Sequence, residues 1–219
     1  MWLMACDHSA SHSGGARYLR TASQLQLVLV CDGCGAELAQ LGRIDYHLEP
    51  RRLVVQAAEL IARELELSEA QTDRVRFAAL VCGVGRSQIP MSIMSKPGPL
   101  TTQEWAEVQR QPEVAAALLS HVSMDDIREW ILCHRERPDG SGYPRGLTGE
   151  QIPLEARILE VADAYTAMVS DRPYRARSDH QAACQELIRC AGTQFDVEAV
   201  KAFLRASLER AQQLGRSAA

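Results

Sequence analysis

No apolar run in this chain approaches the roughly 20 residues that a membrane-spanning helix requires. The opening Met1-Trp2-Leu3-Met4-Ala5-Cys6 has no basic stretch and is too short for a secretion signal, so the cytoplasm is the expected compartment. An excess of basic charge is missing as well. A net charge of −4 argues against a nucleic-acid binder that relies on a basic surface. It leaves room for a small anionic ligand held by a local cluster of Arg or Lys. The seven cysteines, at 6, 31, 34, 82, 133, 184 and 190, are an odd number with one tight Cys-x-x-Cys pair. That favours reduced thiols and a metal site over a disulfide framework. Internal repeats and low-complexity tracts are also lacking. What is present is 219 residues with 46% hydrophobic and 24% charged content, enough for one good core and a small accessory module.

The first 48 residues read differently from the rest. Cys6-Asp7-His8 precedes a Ser/Gly-rich turn from Ser9 to Gly15, and Leu25-Gln26-Leu27-Val28-Leu29-Val30 reads as a strand. The strand ends at Cys31-Asp32-Gly33-Cys34-Gly35, and a second strand follows through Leu38 to Tyr46. Cys-x-His, a hairpin and Cys-x-x-Cys-Gly form the pattern of a zinc ribbon, in which two turns each offer two ligands to a tetrahedral ion. Cys6, His8, Cys31 and Cys34 are the expected ligands of one structural zinc, with His12 in reserve for His8. Free thiols in a hairpin turn are the plainer alternative.

From Glu49-Pro50-Arg51 onward, to about residue 215, the apolar spacing has the period of helices. Leu53, Val54, Ala57, Ala58, Leu60, Ile61 and Leu65 mark an amphipathic helix. Ser68 and Gln71 form a capping box for the next one, which leads to Cys82-Gly83-Val84-Gly85-Arg86. Further helices are expected over 102–110, 112–121, 125–134, 153–169, 178–190 and 197–213. Asp163 lies among apolar residues in one of them, and a buried carboxylate must be paired or bound to a cation.

The densest chemistry lies between Cys133 and Arg175. His134-Arg135-Glu136 precedes Asp139-Gly140-Ser141-Gly142-Tyr143-Pro144, and Ile152-Pro153-Leu154, Val161-Ala162-Asp163 and Ser170-Asp171-Arg172-Pro173-Tyr174-Arg175 follow. This stretch resembles the HD-GYP family, the branch of HD-domain phosphohydrolases that cleaves cyclic di-GMP. The resemblance extends more weakly over about 53–203. It implies an all-α HD-domain helical bundle, here preceded by the small N-terminal β zinc-ribbon module. It also implies two or three catalytic metals held by His and Asp side chains, which would generate a hydroxide and clamp a phosphate.

The sequence departs from the family pattern at those ligands. Cys82 and Gly83 stand where the family has its His-Asp pair, Gln111 where it has a His, and Arg135 where it has the second His; apart from the ligands, Arg86 stands where the family has a Lys. Only His134 and Asp163 remain, too few for a metal pair, so a second metal site is not expected. Arg135, always charged, is expected to partner Asp163 or Glu136 where a cation once sat. A single-metal site from Cys82, Cys133, His134 and Asp163 is the competing possibility, against plain apolar filling by the two thiols.

The resemblance places Arg86, Lys96, Arg135, Glu136, Asp139, Gly140, Gly142, Tyr143, Pro144, Arg172 and Arg175 at ligand-binding or partner-binding positions. The expected function is that of a degenerate signalling protein of bacterial type that binds a cyclic dinucleotide, or a partner protein through the Tyr143 loop, without hydrolysis. The alternatives are an active metal-dependent cyclic di-GMP phosphodiesterase and a purely structural adaptor.

Overall fold

The computed structural model describes residues 14–20, 24–31, 37–45, 49–117, 119, 124–171 and 177–217. The chain divides into two compact units, one of residues 1–49 with 121–123 and one of residues 50–120 with 124–219. In the first, β1 (Gly14–Arg20), β2 (Gln24–Cys31) and β3 (Glu37–Asp45) form an antiparallel sheet in the order β1-β2-β3. Gly14 and Gly15, expected in a turn, instead pair with Cys31 and Val30. The β-branched and apolar run of β2 is a template on both sides, so its neighbour is drawn into the ladder despite two glycines. Cys6, His8, His12 and Cys34 lie outside the described residues, and Cys31 is the last residue of β2.

In the second unit the described helices are α1 (Glu49–Glu64), α2 (Glu69–Val81), α3 (Met91–Met94), α4 (Thr102–Gln109), α5 (Gln111–Ala117), α6 (Asp125–Cys133), α7 (Leu154–Val169), α8 (His180–Arg189) and α9 (Val197–Ser217). Pro50 is tolerated in the first turn of α1, where its missing N–H would have no partner. Ser68 caps α2 as its sequence predicts: its hydroxyl accepts the Gln71 amide at 3.3 Å, and the Gln71 side chain accepts the Ser68 amide at 3.3 Å. A 3-10 turn at Val84–Gln88 follows α2.

The centre of this unit is α7, which packs against α2, α6, α8 and α9. Ala156, Ile158, Leu159, Val161 and Ala162 are buried on it, so nearly its whole circumference is covered. Two carboxylates one turn apart, Glu160 and Asp163, are each only 7% exposed within that apolar setting. No helix among the described residues is long and apolar enough to cross a membrane.

Candidate functional site

Asp163 receives two cations. Arg86, from the 3-10 turn after α2, donates Nη2–H to Asp163 Oδ2 at 2.9 Å, and Arg135, just past the end of α6, donates Nη2–H to the same oxygen. Arg135 also donates Nη1–H to Glu160 Oε2 at 3.2 Å. Arg86 in turn donates Nε–H to the Gln111 amide oxygen at 3.3 Å, and Gln111 is held by the Val108 carbonyl at 2.8 Å. One carboxylate oxygen thus bridges two guanidinium groups. Burial alone would raise the Asp163 carboxyl, but Arg135 and Arg86 outweigh it and hold it well below the usual range. Glu160 pairs directly with one of the two guanidinium groups, Arg135, and takes a side-chain hydrogen bond from Gln194. Burial, reinforced by Asp163, carries it up to about 7. His134, fully buried, donates Nδ1–H to the Ile131 carbonyl at 2.5 Å. Burial and the neighbouring Arg135 charge push its imidazole down to about 3, so it is neutral.

This donor set does not fit a divalent metal pair. Asp163 is already matched to two permanent cations, and Gly83 offers no donor, with open space where a Cβ would stand. Cys82 donates its thiol to the Ala79 carbonyl at 3.4 Å, and the buried Cys133 thiol is pushed up to about 12 by burial and Glu129. Among the described residues no three His, Cys, Asp or Glu side chains are arranged to hold a metal ion.

The loop after α6 is built around a buried carboxylate. Glu136 is 2% exposed, and its two oxygens accept the backbone N–H groups of Arg145 at 2.6 Å and Leu147 at 3.0 Å. Glu136 therefore ties the loop down, whereas the sequence placed it among ligand contacts. Asp139 accepts the Ser141 amide at 2.9 Å in an Asx turn, and Gly140 adopts φ +78°. A side chain on Gly142 would run into the backbone of Glu136 and Arg137. The loop closes with Tyr143–Pro144, where the Tyr143 amide donates to the Arg135 carbonyl at 3.1 Å. Tyr143 is half-buried rather than exposed, and its ring meets Trp105 at a centroid distance of 6.2 Å and an interplanar angle of 79°. Arg145 is committed to Glu129 at 3.1 Å.

Four of the expected site residues, Arg86, Lys96, Arg135 and Tyr143, line one cavity of about 420 Å³ together with Trp105 and Gln111. Lys96 is fixed at its rim by Glu104 at 2.6 Å, and Glu104 also accepts the Thr101 amide at 2.6 Å to cap α4. A second cavity of about 530 Å³ shares Arg86 and Arg135 and adds Glu160, Asp163, Glu186 and Gln194. Asp139, Gly140, Gly142 and Pro144 shape the loop, and Arg172 and Arg175 lie outside the described residues. Glu160 and Trp105 were not singled out from sequence. Glu160 had a signal, a charge one turn before Asp163 on the same helix face.

The chain matches the HD domain family over residues 35–199. It is 41% identical over 161 residues to the cyclic di-GMP phosphodiesterase response regulator RpfG of Xanthomonas campestris, covering 72% of this chain and 43% of that protein. It is 37% identical over 152 residues to a cyclic di-GMP phosphodiesterase of Thermotoga maritima, covering 68% and 41%. A 3'3'-cGAMP-specific phosphodiesterase 2 of Vibrio cholerae is 34% identical over 149 residues, covering 67% and 28%. The chain thus spans less than half the length of these curated relatives. Two solved structures share the fold: a cyclic GMP-AMP specific phosphodiesterase of V. cholerae, with TM-score 0.57, 19% identity and coverage of 72% and 43%, and the HDGYP protein Bd1817 of Bdellovibrio bacteriovorus, with TM-score 0.58, 15% identity and coverage of 70% and 50%. The chain belongs to the HD domain family, in the HD-GYP branch whose loop motif it carries.

Proposed function

We propose that the helical unit binds a phosphodiester ligand of the cyclic-dinucleotide class and does not hydrolyse it. The observation that carries this reading is the pair of guanidinium groups on Asp163: Arg135, where the family implies a metal-ligating His, and Arg86, where it implies a Lys. A guanidinium presents planar, permanently charged donors to phosphate, but it does not generate hydroxide from water as a metal does. Arg86 and Arg135 therefore supply binding and orientation. The ligand class rests on the relatives, named as cyclic dinucleotide phosphodiesterases. Those same names favour a second reading, an active metal-dependent phosphodiesterase.

Calorimetric titration of the chain with cyclic di-GMP tests the first reading. Saturable binding that Arg86→Gln weakens about ten-fold, roughly one charge-assisted hydrogen bond, is the expected result. Conversion of the nucleotide to a ring-opened product supports the second reading instead. The first unit completes the proposal. One zinc held by Cys6, His8, Cys31 and Cys34 would explain how so short a segment folds, and the antiparallel β2–β3 pair supports a ribbon. Zinc that is lost from a Cys31→Ser/Cys34→Ser variant is the expected analytical result. The cytoplasm is the compartment that fits reduced cysteines.

A further inference from the structure

Trp105 lies at the open side of the first cavity, 47% exposed although it is one of the largest apolar side chains in the unit. It projects from α4, a helix with no buried residue of its own, so packing does not require it there. Its position is nonetheless fixed. The Thr101–Glu104 capping box sets the start of α4, and Glu104 joins the helix to Lys96. Tyr143 is fixed independently, by the hydrogen bond from its backbone N–H to the Arg135 carbonyl and by the Glu136-anchored loop. The two rings meet at 79° in a T-shaped contact and together make an aromatic corner. That corner shares a cavity with Arg86, Arg135 and Lys96. A planar, π-faced group attached to an anion matches such a wall: the base lies flat on one ring while the phosphate reaches the guanidinium groups. A lone phosphate would leave the aromatic corner unused.

We infer that Trp105 and Tyr143 form a nucleobase platform, with Trp105 as the residue that distinguishes a nucleotide from a simple phosphate at the Arg86–Arg135 site. The inference rests on the nucleotide-binding reading above and adds to it the residue that reads the base. In the bound state one base stacks on Trp105, its phosphate bonds Arg86 and Arg135, and Lys96 closes the rim.

The test is titration of the full chain with two probes, cyclic di-GMP and inorganic pyrophosphate. Trp105→Ala is expected to weaken cyclic di-GMP about ten-fold or more, the loss typical of one base–aromatic stack, while leaving pyrophosphate unchanged. Trp105→Phe is expected to recover most of the affinity but not the quenching of tryptophan fluorescence that accompanies binding to the wild-type chain. Equal cyclic di-GMP affinity in wild type and Trp105→Ala overturns the platform and leaves the nucleotide reading standing. A parallel loss for pyrophosphate also overturns it, because Trp105 would then act on the fold of the cleft and not on a base. Pyrophosphate binding without cyclic di-GMP binding by the wild-type chain overturns both readings.

Discussion

Replacing Arg135 by Met removes one charge from a buried cluster and keeps most of the side-chain volume. The wild-type cluster holds two guanidinium groups and two carboxylates, with side-chain exposures of 33% for Arg86, 17% for Arg135, 9% for Glu160 and 10% for Asp163. Breaking a buried pair by deleting one partner costs about 3–5 kcal/mol, because the other charge is left uncompensated. Two features reduce that figure. Asp163 keeps Arg86 at 2.9 Å, and Glu160, carried up to about 7, can take a proton at about 1.4 kcal/mol per pH unit. The expected loss is about 2–3 kcal/mol at pH 8, and less at pH 5.5, where Glu160 is neutral and makes no demand for a cation. Urea denaturation followed by far-ultraviolet circular dichroism reads this from the shift in midpoint at constant slope. Adding Glu160→Gln to Arg135→Met is expected to recover more than half of the pH 8 loss. A loss below about 0.5 kcal/mol, within the range of an exposed pair, or an equal loss at both pH values, would refute the idea that Arg135 neutralises this buried pair.

Two further outcomes follow from the same geometry. Gly142→Ala drives a Cβ into the backbone of Glu136 and Arg137 and is expected to cost about 1–3 kcal/mol, the usual penalty of overpacking, visible as a lower thermal midpoint. Glu160 also sets a pH dependence. Its folded value of about 7 lies above its ordinary 4.5, so its contribution is fully present below 4.5 and is lost as pH rises through about 7. Glu160→Gln mimics the protonated side chain, so its stability relative to wild type is expected to rise between pH 5 and pH 8, by about 3 kcal/mol at most. Midpoints measured at several pH values check this, and parallel wild-type and variant curves would contradict it.

The helices were readable because their signals are local. The Ser68–Gln71 box, the apolar period of α1 and the stop at Ser170 each need only a few neighbouring residues. The loop around Gly140 and Gly142 was recognisable for the same reason, although the role of Glu136 as its buried anchor was not. Asp163 announced itself as a charge in an apolar helix, and its need for a cation pointed to Arg135. Bridging by Arg86, the claim of Glu160 on Arg135 and the Trp105–Tyr143 corner arise between segments 25 to 77 residues apart. No periodicity encodes such meetings; the packing of α2, α6 and α7 creates the first two, and α4 brings Trp105 to the Tyr143 loop. Strand β1 escaped detection because its partner β2, and not its own Gly-rich start, makes it extended.

The central claim is that two arginines hold the place of the metal chemistry the family implies, so that the unit binds without cleaving. It is tested most directly by titrating the chain with cyclic di-GMP in the presence and absence of excess Mn²⁺ and recovering the nucleotide afterwards. Equal affinity in both conditions, with the nucleotide returned intact, is the predicted result. Binding that requires Mn²⁺, or recovery of a ring-opened dinucleotide, would contradict it.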